Sequence, residues 1–66
     1  MNIYINNETR EIPDASKIAD VLQRLDLAQK GIAIAVNNDV VPRNEWERHQ
    51  LNELDKLTII KATQGG

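Results

Sequence analysis

Few residues in this chain of 66 can do covalent chemistry, and those that can are gathered at its end. There is no cysteine to act as nucleophile or thiolate ligand, and His49 is the sole histidine, with no second ligand of its kind to build a metal site. His49 therefore reads as a solvated surface residue, and the carboxylates read as solvated helix and loop charges, so nothing marks the chain as an enzyme. What remains is the run Ile59-Ile60-Lys61-Ala62-Thr63-Gln64-Gly65-Gly66, a strand-like segment that empties into two glycines and a carboxylate. Its apolar, β-rich part reaches almost to the last residue and supplies an anchor, and residues 63–66 are expected as a flexible tail beyond it. Glycine has no Cβ and accepts φ of either sign, so such a tail can enter a narrow channel and leave its carboxylate open to attack. That is the chemistry of a substrate. The alternative is a frayed terminus or a cloning scar; on the substrate reading Gly66 is the expected reacting group, and Gln64 and Gly65 belong to the tail that delivers it.

The elements that must position this tail can be read from periodicity. Asn2 to Asn6 alternate, with Ile3 and Ile5 on one face and Tyr4 on the other, as in a half-buried strand. Asn6-Asn7-Glu8 carries turn chemistry, and Thr9 to Ile12 returns as a second strand that Pro13 stops. Ser16 is the expected N-cap of a helix of about ten residues, in which Ile18, Val21, Leu22 and Leu25 share one stripe. Gly31 is the expected breaker after it. In Ile32-Ala33-Ile34-Ala35-Val36 large residues alternate with small, which places Ile32, Ile34 and Val36 toward the helix and Ala33 and Ala35 outward. Asn37-Asn38-Asp39 is a turn, and Val40-Val41 is a short strand that Pro42 confines to a sheet edge. Asn44 with Glu47 three residues on has the arrangement of a capping box, and Trp46 is assigned to the core because no aromatic cluster accompanies it. Leu51 and Leu54 are expected to close the following loop against the core. The last strand then points Leu57 and Ile59 inward and Thr58, Ile60 and Ala62 outward.

These pieces assemble into one domain over residues 1–66, a helix crossing one face of a mixed sheet of four to five strands, with first and last strands adjacent and parallel. That is the β-grasp, an α+β fold. Its other face presents Tyr4, Ala33, Ala35, Ile60 and Ala62, and is expected to bind a partner. Eight basic residues against ten acidic give a net charge of −2 without a basic cluster, which argues against nucleic acid. Neither a signal-like N-terminus nor an apolar run approaching about 20 residues is present, so a cytoplasmic protein without a membrane partner, monomeric when free, is expected.

With Val40-Val41-Pro42-Arg43 followed closely by Trp46, the Asp55 turn before the last strand, and Gly65-Gly66 at the end, the chain resembles the ThiS-type sulfur carrier proteins of thiamin biosynthesis, members of the ubiquitin-like β-grasp superfamily. Gln64 stands where many members have a small residue. The resemblance covers the whole chain and implies a carrier cycle. An E1-like adenylyltransferase would join the Gly66 carboxylate to AMP from ATP, a sulfur donor would convert it to a thiocarboxylate, and thiazole synthase would accept the sulfur. No cofactor would be bound by the chain itself, since ATP is used by the activating enzyme. Two readings share the fold and tail: a sulfur carrier for molybdopterin synthesis, expected to be longer, and a protein modifier, which would end in an isopeptide bond to lysine. A pure interaction domain, by contrast, would need no free terminus.

Overall fold

Two Asn-Asn pairs set the hairpins from which the sheet is built. Asn6 and Asn7 have φ of 49° and 71°, and Asn37 and Asn38 have φ of 52° and 73°. Two successive positive φ values define the tight turn whose twist matches that of flanking strands, and asparagine tolerates them better than most residues. The first pair joins β1 (Asn2–Ile5) to β2 (Glu8–Glu11), and the second joins β3 (Ile32–Val36) to β4 (Asp39–Val41). The final strand, β5 (Lys56–Lys61), lies between the two hairpins, parallel to β1 and antiparallel to β3. The order β2-β1-β5-β3-β4, with a single helix α1 (Ile18–Arg24) packed on one face, is the expected β-grasp. The computed structural model describes residues 1–61; Ala62 and the tail residues, Gln64, Gly65 and Gly66 among them, lie outside the described residues.

The core lies between α1 and the sheet. Ile18, Val21 and Leu22 meet Ile3, Ile5, Ile34, Val36, Val41 and Leu57, while Leu25 packs half-buried at the margin. Trp46 is buried as expected and donates its indole N–H to the Val41 carbonyl at 2.8 Å, so its one polar atom is satisfied. Leu51 joins the core, but Leu54 does not: it holds φ of 67° and is 56% exposed. The Leu54 N–H donates to the Asn2 carbonyl at 2.7 Å, and the left-handed turn so fixed leaves the side chain in water.

Both ends of the helix differ from expectation. Ser16 is not the N-cap, because its hydroxyl donates to the Pro13 carbonyl at 2.7 Å. The first helical N–H groups are met instead by the loop that wraps over them, Ile18 donating to the His49 carbonyl at 3.1 Å and Ala19 to the Trp46 carbonyl at 2.9 Å. The Asp20 carboxylate accepts from the Lys17 N–H at 2.9 Å, in the first turn where negative charge is favoured. At the other end Asp26 ends the helix in the left-handed conformation, with φ of 57°, and Gly31, with φ of 77°, turns the chain further on, just before β3. Leu27 then donates to the Leu22 carbonyl at 2.9 Å and Asp26 to that of Gln23 at 3.1 Å, the paired bonds of a Schellman termination. The helix is thus 7 residues long rather than about ten. Asn44 caps nothing either. It lies inside a 3₁₀ turn, Arg43–Glu45, that opens at Pro42, with Glu45 donating to the Pro42 carbonyl at 2.9 Å.

A helix this short is held by docking rather than by its own propensity. Leu22 lies at the centre of its buried stripe. Leu22→Ala is expected to cost about 2–5 kcal/mol in urea or thermal unfolding, and a loss below about 0.5 kcal/mol would show that the stripe does not hold the domain.

Candidate functional site

The site is the C-terminal end of β5 and the sheet face beside it. β5 is paired on both sides, and its residues alternate in what they offer. Lys56, Thr58 and Ile60 point to the face away from α1, and Leu57 and Ile59 toward it. Backbone groups alternate as well: Tyr4 N–H donates to Asp55 O at 2.9 Å and Asn6 N–H to Leu57 O at 3.0 Å on the β1 side, while Asn37 N–H donates to Lys56 O at 2.8 Å on the β3 side.

Each hairpin adds one rung with a side chain. Asn6 Oδ1 accepts from the Ile59 N–H at 2.8 Å, and Asn6 Nδ2 donates to the Ile59 carbonyl at 3.4 Å. This amide stands in for the next peptide that β1 lacks. On the opposite edge Asn37 Oδ1 accepts from the Lys56 N–H at 3.1 Å and Asn37 Nδ2 donates to Asp55 Oδ1 at 3.0 Å, while Asp55 Oδ2 accepts from the Asn52 N–H at 2.8 Å. The first asparagine of each turn therefore clamps β5, Asn37 where the strand begins and Asn6 close to where the described chain ends. Reading the asparagines only as turn formers misses this role.

The outer face assembles by register. Ala33 pairs with Ile60, and Ala35 lies between Thr58 of β5 and Val40 of β4. Tyr4 of β1 pairs with Lys56 on the neighbouring β5, on the same face. Four of the five expected residues, Tyr4, Ala33, Ala35 and Ile60, thus share one face, and Ala62 lies outside the described residues. Ile60 is 52% exposed, whereas Tyr4 and Ala33 are half-buried. Ala35 corrects the expectation of an accessible alanine: it is only 8% exposed, yet it does not belong to the core cluster. It points outward as its strand position requires, but a methyl group between two larger β-branched neighbours is shaded by them. Val40, at 74% exposure, is the residue the sequence reading leaves out. Its place beside Ala35 follows from the two-residue turn at Asn37-Asn38, which fixes the register of β4. The apolar surface therefore runs from Ile60 over Ala33 and Ala35 to Val40. His49 is half-buried in the loop over the start of α1, and among the described residues no three His, Asp or Glu side chains gather as a metal site.

A β-grasp domain whose last strand is clamped on both edges beside an open apolar face has the make-up of a ubiquitin-like carrier. Comparison with known proteins makes the assignment definite: the ThiS family matches residues 3–66, and the chain belongs to that family. It is 29% identical over 66 residues to the sulfur carrier protein ThiS of Escherichia coli (strain K12), covering 100% of both chains. It is also 27% identical over 66 residues to a thiazole synthase of Paramagnetospirillum magneticum (strain ATCC 700264 / AMB-1), of which it spans only 20%. A crystal structure of the thiamine biosynthesis protein ThiS from Geobacter metallireducens has the same fold, with a TM-score of 0.86 at 19% identity and 100% coverage of each chain. No described helix is long and apolar enough to cross a membrane.

If the Asn6 amide holds the end of β5, its removal can be separated from the turn it sits in. Asn6→Gly keeps access to positive φ but loses both rungs to Ile59. It is expected to cost about 1–2 kcal/mol and to speed amide hydrogen exchange at Ile59 more than at Leu57; equal exchange at Ile59 in both proteins would show that the side chain is not a rung.

Proposed function

We propose that this chain works as the sulfur carrier of thiamin biosynthesis, with the Gly66 carboxylate as the group that is activated and loaded. The observation that carries this reading is that the match to the ThiS family runs to the last glycine, while the fold clamps the strand immediately before the tail. It is a carrier and not an enzyme. A carboxylate resists attack because hydroxide or oxide is a poor leaving group. Attack of Gly66 on the α-phosphorus of ATP, releasing pyrophosphate, gives an acyl adenylate whose AMP then leaves when a sulfur donor attacks the carbonyl carbon. The product is a thiocarboxylate. Transfer of that sulfur to the growing thiazole, with an oxygen from the acceptor or from water taking its place on the carbonyl carbon, returns the carboxylate, so the chain is recycled and needs no cysteine.

At about 3.3 Å per extended residue, four residues such as 63–66 could span at most roughly 13 Å. That distance suits a carboxylate entering an enzyme whose outer surface meets the sheet. The partners follow from the cycle: an E1-like adenylyltransferase, a sulfur donor and thiazole synthase. Support for the last comes from the Paramagnetospirillum magneticum protein named thiazole synthase, which carries a segment similar to this whole chain. Two parts joined in one polypeptide act at high effective concentration toward each other. The face through Tyr4, Ala33, Ile60 and Val40 is the docking surface in this reading, Ile60 and Val40 being its exposed apolar residues.

Two tests separate the tail from the face. Deleting Gly66 is expected to leave the melting temperature unchanged, yet intact mass measured after incubation with the adenylyltransferase, ATP and a sulfur donor should show sulfur on the full chain and none on the shortened one. A tail one residue short misses its target by about 3.3 Å, and a misplacement of about 1 Å already costs on the order of a hundredfold in rate. Equal loading of both would end the carrier reading. Ile60→Asp should fold normally but weaken binding to the adenylyltransferase by roughly tenfold or more, as loss of a central apolar contact does; unchanged affinity in titration calorimetry would remove this face from the interface.

A further inference from the structure

We infer that the β1-side edge of β5 at the root of the tail is completed by an extended backbone segment of thiazole synthase, added to the sheet as a strand where β1 stops. The inference rests on the carrier reading and says how the docked partner grips the chain. Three observations lead to it. β1 pairs with β5 only as far as Ile5 opposite Leu57, and past that point the Asn6 amide serves Ile59 alone. The backbone groups of Leu57 and Ile59 both face the β1 side, so by the alternation of a strand those of Lys61 face it too, at a position that neither β1 nor the Asn6 amide reaches. On the β3 side Lys61 lies opposite Ile32, a pair that exchanges no backbone bonds, because the bonded positions are those of Thr58 and Ile60. An edge of this kind is a template for an incoming strand.

A groove beside this edge supplies the side-chain part of the recognition. It has a volume of about 400 Å³ and is lined by Ile5, Leu25, Leu27 and Ile59, with the polar residues Asn6, Glu8, Arg10 and Lys61 around them. Arg10 lies 3.7 Å from Glu8, whose carboxylate offsets its charge, and Lys61, at the end of β5, is the cation nearest the tail. A strand running past Lys61 turns every second side chain toward α1 and therefore into this groove. The segment that fits is extended, presents an aliphatic side chain to Leu25 and Leu27, and carries a carboxylate near Lys61. A strand paired with the end of β5 would hold the residues that follow extended on their way to the partner's interior. The outer face and this edge are separate surfaces, so a partner gripping both would fix the direction of the tail as well as its origin.

The test uses the full chain and the thiazole synthase that acts with it. Amide hydrogen exchange is measured on the free chain and on the complex, and affinity is measured for Lys61→Pro against Lys61→Ala. Proline removes the N–H at a position where that N–H faces an open edge, which strands tolerate, while alanine removes only the charge. In the free chain Ile59 should exchange slowly and Lys61 fast; in the complex both should be slow. Lys61→Pro should bind roughly tenfold more weakly than Lys61→Ala, the scale of one lost backbone bond. A complex in which Lys61 still exchanges fast, or in which the two variants bind alike, overturns the inference and leaves the carrier reading in place. Slow exchange at Lys61 in the free chain also overturns it, since the edge would then be occupied by the chain itself or by a second copy. Failure of the full chain both to bind the synthase and to be loaded with sulfur removes the carrier reading, and this inference with it.

Discussion

The parallel pairing of β1 with β5 is the constraint on which the rest of the structure depends. It joins residues 53 apart in the chain, as in the contact of Asn6 with Ile59, and a parallel pair cannot be closed by a hairpin. The chain between them must therefore cross the sheet, and α1 with the loops around it carries it from the β1–β2 hairpin on one side of β5 to the β3–β4 hairpin on the other. The pairing also decides where the chain ends up. Because β5 enters the middle of the sheet, the chain runs toward its tail from a strand held on both sides as far as Ile59 rather than from an edge strand. A carrier needs that property, since a terminus hung on a mobile segment spends its binding energy on ordering the segment.

The chain meets the demand with short elements supported from the side. β1 and β2 have 4 residues each, β4 has 3, and α1 has 7, all near or below what would persist in isolation. Side chains and loop carbonyls fill the gaps: Asn6 and Asn37 extend the pairing of β5, and the carbonyls of Trp46 and His49 satisfy the start of α1. Trp46 is central to this economy, because one residue fills the core, bonds to Val41 and holds the loop that covers the helix. Neither a disulfide nor a thiolate metal site is available to a chain without cysteine, so packing and these local bonds carry the stability.

How much of this could be read in advance depended on whether the signal was periodic or relational. The alternation of Ile3 and Ile5, the stripe of Ile18, Val21 and Leu22, and the alternation of Ile34 and Val36 each mark a buried face by period alone, and the fold follows from them. The helix ends were less legible, because Ser16 and Gly31 have the right types for capping while the geometry gives those roles to loop carbonyls and to Asp26. Leu54 was misjudged for a related reason: hydrophobicity does not reveal a left-handed turn. On the site, Ile60 was legible from its phase in the last strand, and Ala35 was right in direction but wrong in exposure, since shading depends on its cross-strand neighbours. Val40 was within reach of the sequence, because a two-residue Asn-Asn turn fixes which residue lies opposite Ala35.

The central claim is that the domain exists to present a terminus that carries one sulfur atom and gives it away. The most direct measurement is a single turnover: the chain is first loaded as the thiocarboxylate, then mixed with thiazole synthase and its other substrates, and its intact mass is followed with time. The account predicts that the mass falls by the difference between sulfur and oxygen at the rate at which thiazole forms, with the chain released unmodified and fit for reloading. Sulfur that stays on the terminus while thiazole forms, or a chain that ends joined to another protein through Gly66, would contradict it.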